Sequence, residues 1–200
     1  MLTRRALLAL GTAAVAAFAL RVPAFAQAGG AATNFVQTFG AQLIGVVNGP
    51  GDLAEKQTAI QPLIDHAVDV NGIAVFCLGR FAHSATPAQT SEFTRLFHAV
   101  LVKNITSRIG EYKGVTFRTT NTTQRGGEAL VGTLVQRPNN APNNVQWVVT
   151  EIDGAPKIVD VVAEGTSLRL TQRSDYASFL SQHGNNVEAL LAAMKRQVES

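Results

Sequence analysis

The sequence predicts an α+β domain: a four-stranded antiparallel meander packed by N-terminal and C-terminal helices. Three observations lead there. Apolar residues recur at helical spacing from Phe35 to about Tyr112. Between 115 and 163 the period changes to two, interrupted by Gly- and Asn-rich turns. Helical spacing then returns to the end of the chain. Helices in a block, strands in a block and helices again are the pattern of a sheet covered by segregated helices.

The first 26 residues read as a signal peptide. Arg4 and Arg5 form a charged start, Ala6 to Leu20 an apolar run, and Ala24-Phe25-Ala26 a small-x-small cleavage site. Arg4-Arg5 also fits twin-arginine export, and an uncleaved membrane anchor is the alternative. Residues 27–33 are small and polar, a flexible linker, and residues 34–199 form a single domain. Phe35, Phe39, Leu43 and Val47 mark a helix that ends near Asn48-Gly49-Pro50-Gly51. Asp52 with Glu55 is a capping-box start for a second helix, which Pro62 breaks or kinks. Asp69 to Leu78 is a third, ended by Gly79. Thr86-Pro87 with Gln89 opens a long helix to Tyr112, about 40 Å by its rise per residue.

Strands follow at Val115–Thr123, Glu128–Arg137, Val145–Ile152 and Lys157–Ala163, with turns at Gly126-Gly127 and Asp153-Gly154. Ser174 caps a helix that Gly184 stops, and Asn186 starts the last one. Strand residues are apolar on both faces: Val145, Trp147 and Val149 on one, Val148 and Ile152 on the other. Both faces therefore need cover, either from helices on each side or from an apolar cavity.

Composition excludes several classes. The chain has 17 basic and 14 acidic residues. Loss of Arg4, Arg5 and Arg21 with the signal leaves 14 against 14, so the mature chain is near neutral. That disfavours nucleic-acid binding and strong docking on anionic lipid. It predicts weak, transient partner docking with little charge steering. Cys77 is the one cysteine, set in the apolar run Ile73–Leu78, and reads as a buried inert thiol. No Walker-type phosphate loop, G-x-S-x-G elbow or H-E-x-x-H pair occurs in the sequence.

The most specific stretch runs from Lys157 through Asp160, Glu164-Gly165 and Ser167 to Arg173. With Val68-Asp69, with Leu78-Gly79 ahead of Phe81, with Gln89, Phe93 and Phe97, and with Gly184 ahead of Leu190-Leu191, it resembles the MlaC-type (toluene-tolerance) periplasmic phospholipid-binding proteins. The resemblance covers about Phe35 to Lys195. Pro156 stands where that family has Trp, and Asn104 where it commonly has Tyr.

The resemblance implies a periplasmic carrier that buries the acyl chains of a phospholipid between sheet and helices. It implies no cofactor, with phospholipid as cargo. The implied partners are an inner-membrane ABC transporter with a lipid-binding substrate subunit and an outer-membrane lipoprotein complex, and the carrier itself would be a monomer. A 16-carbon chain needs roughly 12 kcal/mol of replacement apolar contact to leave a bilayer. The candidate lining is Phe76, Phe81, Phe93, Leu96, Phe97, Val100, Val115, Phe117, Leu130, Leu134, Trp147, Val149, Ile158 and Val162. Arg173 is a candidate for the headgroup or for an ion pair with Asp160 or Glu164, while Asp160 and Ser167 hold the turn. Three alternatives stand: a carrier of hopanoid or another lipid, a lipid-free adaptor, and a pocket enzyme of the dehydratase or isomerase kind. The enzyme would draw on His66, Asp69, His98 and Asp160.

Overall fold

The computed structural model describes residues 24–199. The expected signal peptide lies largely outside these. Helix α1 runs Ala24–Asn48, so residues 27–33, expected as a linker, lie within a helix. Thr33 fixes that segment to the sheet, its hydroxyl 2.7 Å from that of Thr122.

Helix α2 (Leu53–Ala67) begins with the expected capping box, each of Asp52 and Glu55 bonding the other's backbone N–H at 2.9 Å. Pro62 does not break it. The proline leaves one carbonyl without its N–H partner, but the position is exposed, so water can take that place. Helix α3 (Val70–Leu78) is capped by the Asp69 carboxylate and ends at Gly79, where a 3-10 helix (Gly79–His83) follows.

Helix α4 (Pro87–Thr106) opens with the expected Thr86–Gln89 box but stops six residues short of Tyr112. The cause is Ile109. It is buried in the sheet core, and a 3-10 helix (Ile109–Tyr112) turns the chain toward it.

Strands β1 (Thr116–Arg125), β2 (Glu128–Gln136), β3 (Asn143–Ile152), β4 (Ala155–Ala163) and β5 (Thr166–Ser167) form one antiparallel meander in that order. The sheet thus has five strands where the sequence predicted four. The fifth is a two-residue return of β4 through Glu164-Gly165, whose φ values of +50° and +80° make a tight hairpin turn. Helix α5 (Leu168–Gln182) begins directly after β5, and α6 (Val187–Glu199) ends the described chain. Ser167 caps α5 by accepting from the Leu170 N–H at 3.2 Å. The helix therefore starts well before Ser174, and Arg173 lies inside it rather than ahead of it.

The apolar interior is divided in two. Helices α1 and α2 cover one sheet face and build the first core: Val36, Phe39 and Ile60 meet Val131, Val149 and Ile158 there. Phe39 meets Trp147 edge-on at 5.8 Å, and the Trp147 Nε1–H donates to the Thr133 hydroxyl at 3.0 Å. Helices α3 to α6 build the second around Phe93, Leu96, Tyr176, Leu180, Leu191 and Met194. The two halves join along β4. Val68, between α2 and α3, forms a parallel bridge with Ile158, and the Asp69 N–H donates to the Ile158 carbonyl at 3.0 Å.

Candidate functional site

The site grows out of an irregularity in β4. Val148 pairs with Asp160 while the next residue, Val149, pairs with Ile158, so Val159 is an extra residue in the strand. Residues two apart on a regular strand share a face. The bulge breaks that rule. Ile158 points into the sheet core with Val149, and Asp160 points out the other side, toward the start of α5.

Asp160 is 6% exposed and fully engaged. Its carboxylate accepts the Ser167 hydroxyl at 2.6 Å, the Val161 N–H at 2.8 Å and the Arg169 N–H at 3.1 Å. Arg169 Nε stands 3.5 Å from it. Arg169 also reaches Glu128 at 3.7 Å. The ion pair that the sequence offered to Arg173 is thus made by Arg169. Glu164 does not meet Arg173 either; its carboxylate accepts the Asn144 N–H at 3.0 Å and secures the start of β3.

Arg173 sits one turn beyond Arg169, and the two guanidiniums lie over the Phe76 ring of α3 at 4.8 and 4.9 Å from its centroid. Arg173 pairs with no carboxylate among the described residues. Its close approach depends on Gly79, which has φ +59° and would place a Cβ 3.1 Å from Arg173 Nε. The next residue, Arg80, has its own guanidinium over the Phe81 ring at 4.8 Å.

Two adjoining clefts open here, between the C-terminal end of α3 and the face of α5. One, of about 390 Å³, has Cys77, Leu78 and Phe81 on one side and Arg173, Ser174 and Ser178 on the other. The second, of about 410 Å³, includes Val75, Phe76 and His83. Gly79, Arg80 and Arg173 belong to both.

The expected lining set is distributed rather than gathered. Phe76, Phe81, Phe93, Leu96, Phe97 and Val100 fall in or against the helical core beside these clefts. Val115, Phe117, Trp147, Val149 and Ile158 belong to the sheet core. Leu130, Leu134 and Val162 are on the opposite sheet face, as their pairing with Val148, Asn144 and Gln146 requires. Between sheet and α1/α2 the packing is close: Val149 is 2% and Ile158 1% exposed. The clefts open between helices, not between sheet and helices.

The enzyme candidates separate too. Asp69 caps α3, and Asp160 is consumed by the α5 start. His98 stands 2.8 Å from Asp65, a contact by distance that is not aligned as a hydrogen bond, and neither residue lines the clefts. Among the described residues no cluster of His, Cys, Asp and Glu can hold a metal, and no helix is long and apolar enough to cross a membrane.

Residues 42–196 match the MlaC protein family. The chain belongs to the MlaC family. A curated relative, toluene tolerance protein ttg2D of Pseudomonas putida, is 26% identical over 133 residues, which are 65% of this chain and 61% of the relative. The match thus spans about three fifths of the relative's length. Among solved structures, the phospholipid-binding protein from Ralstonia solanacearum, in complex with a phospholipid, aligns over 84% of this chain and 97% of its own with a TM-score of 0.73 at 19% identity. The α+β architecture is therefore shared with that protein.

Sequence reasoning missed two members of the site in this MlaC protein, Arg80 and Arg169. Neither belongs to a motif, although Arg80 follows the Leu78-Gly79 pair directly. Cys77 behaves as expected. It is 1% exposed, and burial, aided by the negative charge of Asp160, pushes its thiol up to about 12. Near pH 8 only about one molecule in ten thousand would carry the reactive thiolate. Labelling with a soluble thiol reagent is expected to be much slower in the folded protein than in denaturant, at a rate set by how often α3 and α5 part. A native rate equal to the denatured one would show that the thiol is not buried.

Proposed function

We propose that this chain is a periplasmic lipid carrier that takes up the acyl chains of a phospholipid and shuttles the lipid between outer- and inner-membrane transport complexes. The observation that carries the reading is the division of the interior into two cores, with clefts at the edge of the helical one. Acyl chains can enter by parting α5 from α3 and α4 while the sheet core stays closed. The side chains they would meet are Phe76, Phe81, Phe93, Leu96, Phe97 and Val100, and aromatic rings in that number suit aliphatic chains. The Ralstonia protein, which binds a phospholipid on the same fold, supports the same cargo. Partners would be an ABC transporter with a lipid-binding subunit at the inner membrane and a lipoprotein complex at the outer one.

Native mass spectrometry of the mature protein from its own periplasm tests the reading. The expected result is one phospholipid per chain. An adduct of hopanoid mass would keep the carrier and replace the cargo. A bare chain, still bare after incubation with phospholipid vesicles, would overturn the proposal in favour of an adaptor.

A further inference from the structure

We propose that Arg80 and Arg173 form a binding site for a phosphate ester, and that this site seats the phosphodiester of the bound lipid; the second half rests on the carrier reading above. Both side chains line both clefts, and no Asp or Glu lines either one. Neither arginine pairs with a carboxylate among the described residues, whereas Arg169, one turn away, is held by Asp160 and Glu128. The two guanidiniums are also positioned without being neutralised. Arg173 lies over Phe76 and against the bare Cα of Gly79, and Arg80 lies over Phe81. A planar guanidinium fixed by ring stacking keeps its N–H edge free, and that edge matches two phosphate oxygens at once.

Two further groups complete the rim. Ser174 lines the first cleft and His83 the second, and neither the hydroxyl nor the ring has a hydrogen-bond partner among the described residues. The floor is apolar, with Leu78 and Phe81 beneath one cleft and Val75 and Phe76 beneath the other. A ligand with a phosphate joined to an aliphatic part meets both chemistries in one place. A free sugar phosphate or an acidic peptide would leave the floor uncovered.

The test compares a water-soluble short-chain phosphatidylglycerol with the diacylglycerol of the same chains, titrated into the mature protein by calorimetry. The wild type is expected to bind the phospholipid at least about ten-fold more tightly, the scale of one charge-assisted contact. Arg80→Gln with Arg173→Gln should shrink that ratio to near one, and Arg173→Lys should retain part of it. An undiminished ratio in the double variant, with an unchanged melting temperature, overturns the phosphate site. If the wild type binds neither lipid, the carrier reading has failed. The phosphate site is then judged by inorganic phosphate and glycerol phosphate, followed through the Nε–H resonance of Arg173. A saturable shift that the Arg80→Gln variant weakens supports a site for free phosphate esters, and no shift overturns it.

Discussion

Asp160→Ala is expected to destabilise the protein by about 3–5 kcal/mol, the range for removing one partner of a buried, hydrogen-bonded charge pair. The substitution strands three donors together: the Ser167 hydroxyl and the N–H groups of Val161 and Arg169. It also leaves the Arg169 guanidinium facing a hydrophobic side chain, with Glu128 at 3.7 Å and the Val159 carbonyl at 3.4 Å its remaining partners. The effect should reach beyond the turn, because β5 and the first turn of α5 are both placed by this carboxylate. Ser167→Ala removes one of those bonds together with the helix cap and should cost about 1–2 kcal/mol. Urea denaturation of the two variants beside the wild type decides the matter. A cost for Asp160→Ala no greater than that of Ser167→Ala would mean that the carboxylate is not the organising group.

Gly40→Ala should destabilise by about 1–3 kcal/mol, the usual cost of overfilling a packed site. On helix propensity taken by itself, the same substitution would stabilise by about 1 kcal/mol. The sign is set by Phe117, whose ring tip lies so close to the α1 backbone that an added Cβ would overlap it. Shortening that ring removes the conflict. In a Phe117→Ala background the Gly40→Ala step should become stabilising, and the four-member cycle should show a coupling above about 1 kcal/mol. Additive effects would mean that Phe117 can turn aside freely, and that α1 is not registered on the sheet by this contact.

How far the fold could be read from the chain depends on whether each signal was local. Asp52 with Glu55 and Thr86 with Gln89 specify helix starts through bonds that span three residues, and both occur as expected. The pairs Gly126-Gly127 and Asp153-Gly154 have the positive φ values that two-residue hairpins require, and they set strand boundaries nearly correctly. The misreadings were decided at a distance. Helix α4 ends early where the chain turns to place Ile109 in the sheet core beside Leu101 and Ile105, and the letters around Thr106 do not record that. Ser167 outcompetes Ser174 as a cap because Asp160 holds it from a neighbouring strand.

The candidate site was legible as a set of residue types more than as a place. Period-two alternation assigns strand residues to faces, but the extra residue at Val159 reverses the assignment, so Ile158 and Asp160 diverge. Apolar letters do not say which of two cores they will join, which is why one expected lining became three groups. Arg173 was singled out by a motif, but its isolation from carboxylates follows from Arg169 taking the position beside Asp160. Arg80 had no signal beyond its place after a glycine.

The seam between the two cores sets a clock. Helix α4 and Val70 serve both cores, but the contacts of α5 lie in the helical one, so displacing α5 would leave the sheet core in place. A motion of that size belongs to the microsecond-to-millisecond class of hinge and shear displacements. Global unfolding of a small domain is far rarer, from seconds to days. The opening would therefore recur on the first timescale, and the residence time of a cargo that enters through the seam would be governed by its own contacts rather than by the endurance of the fold.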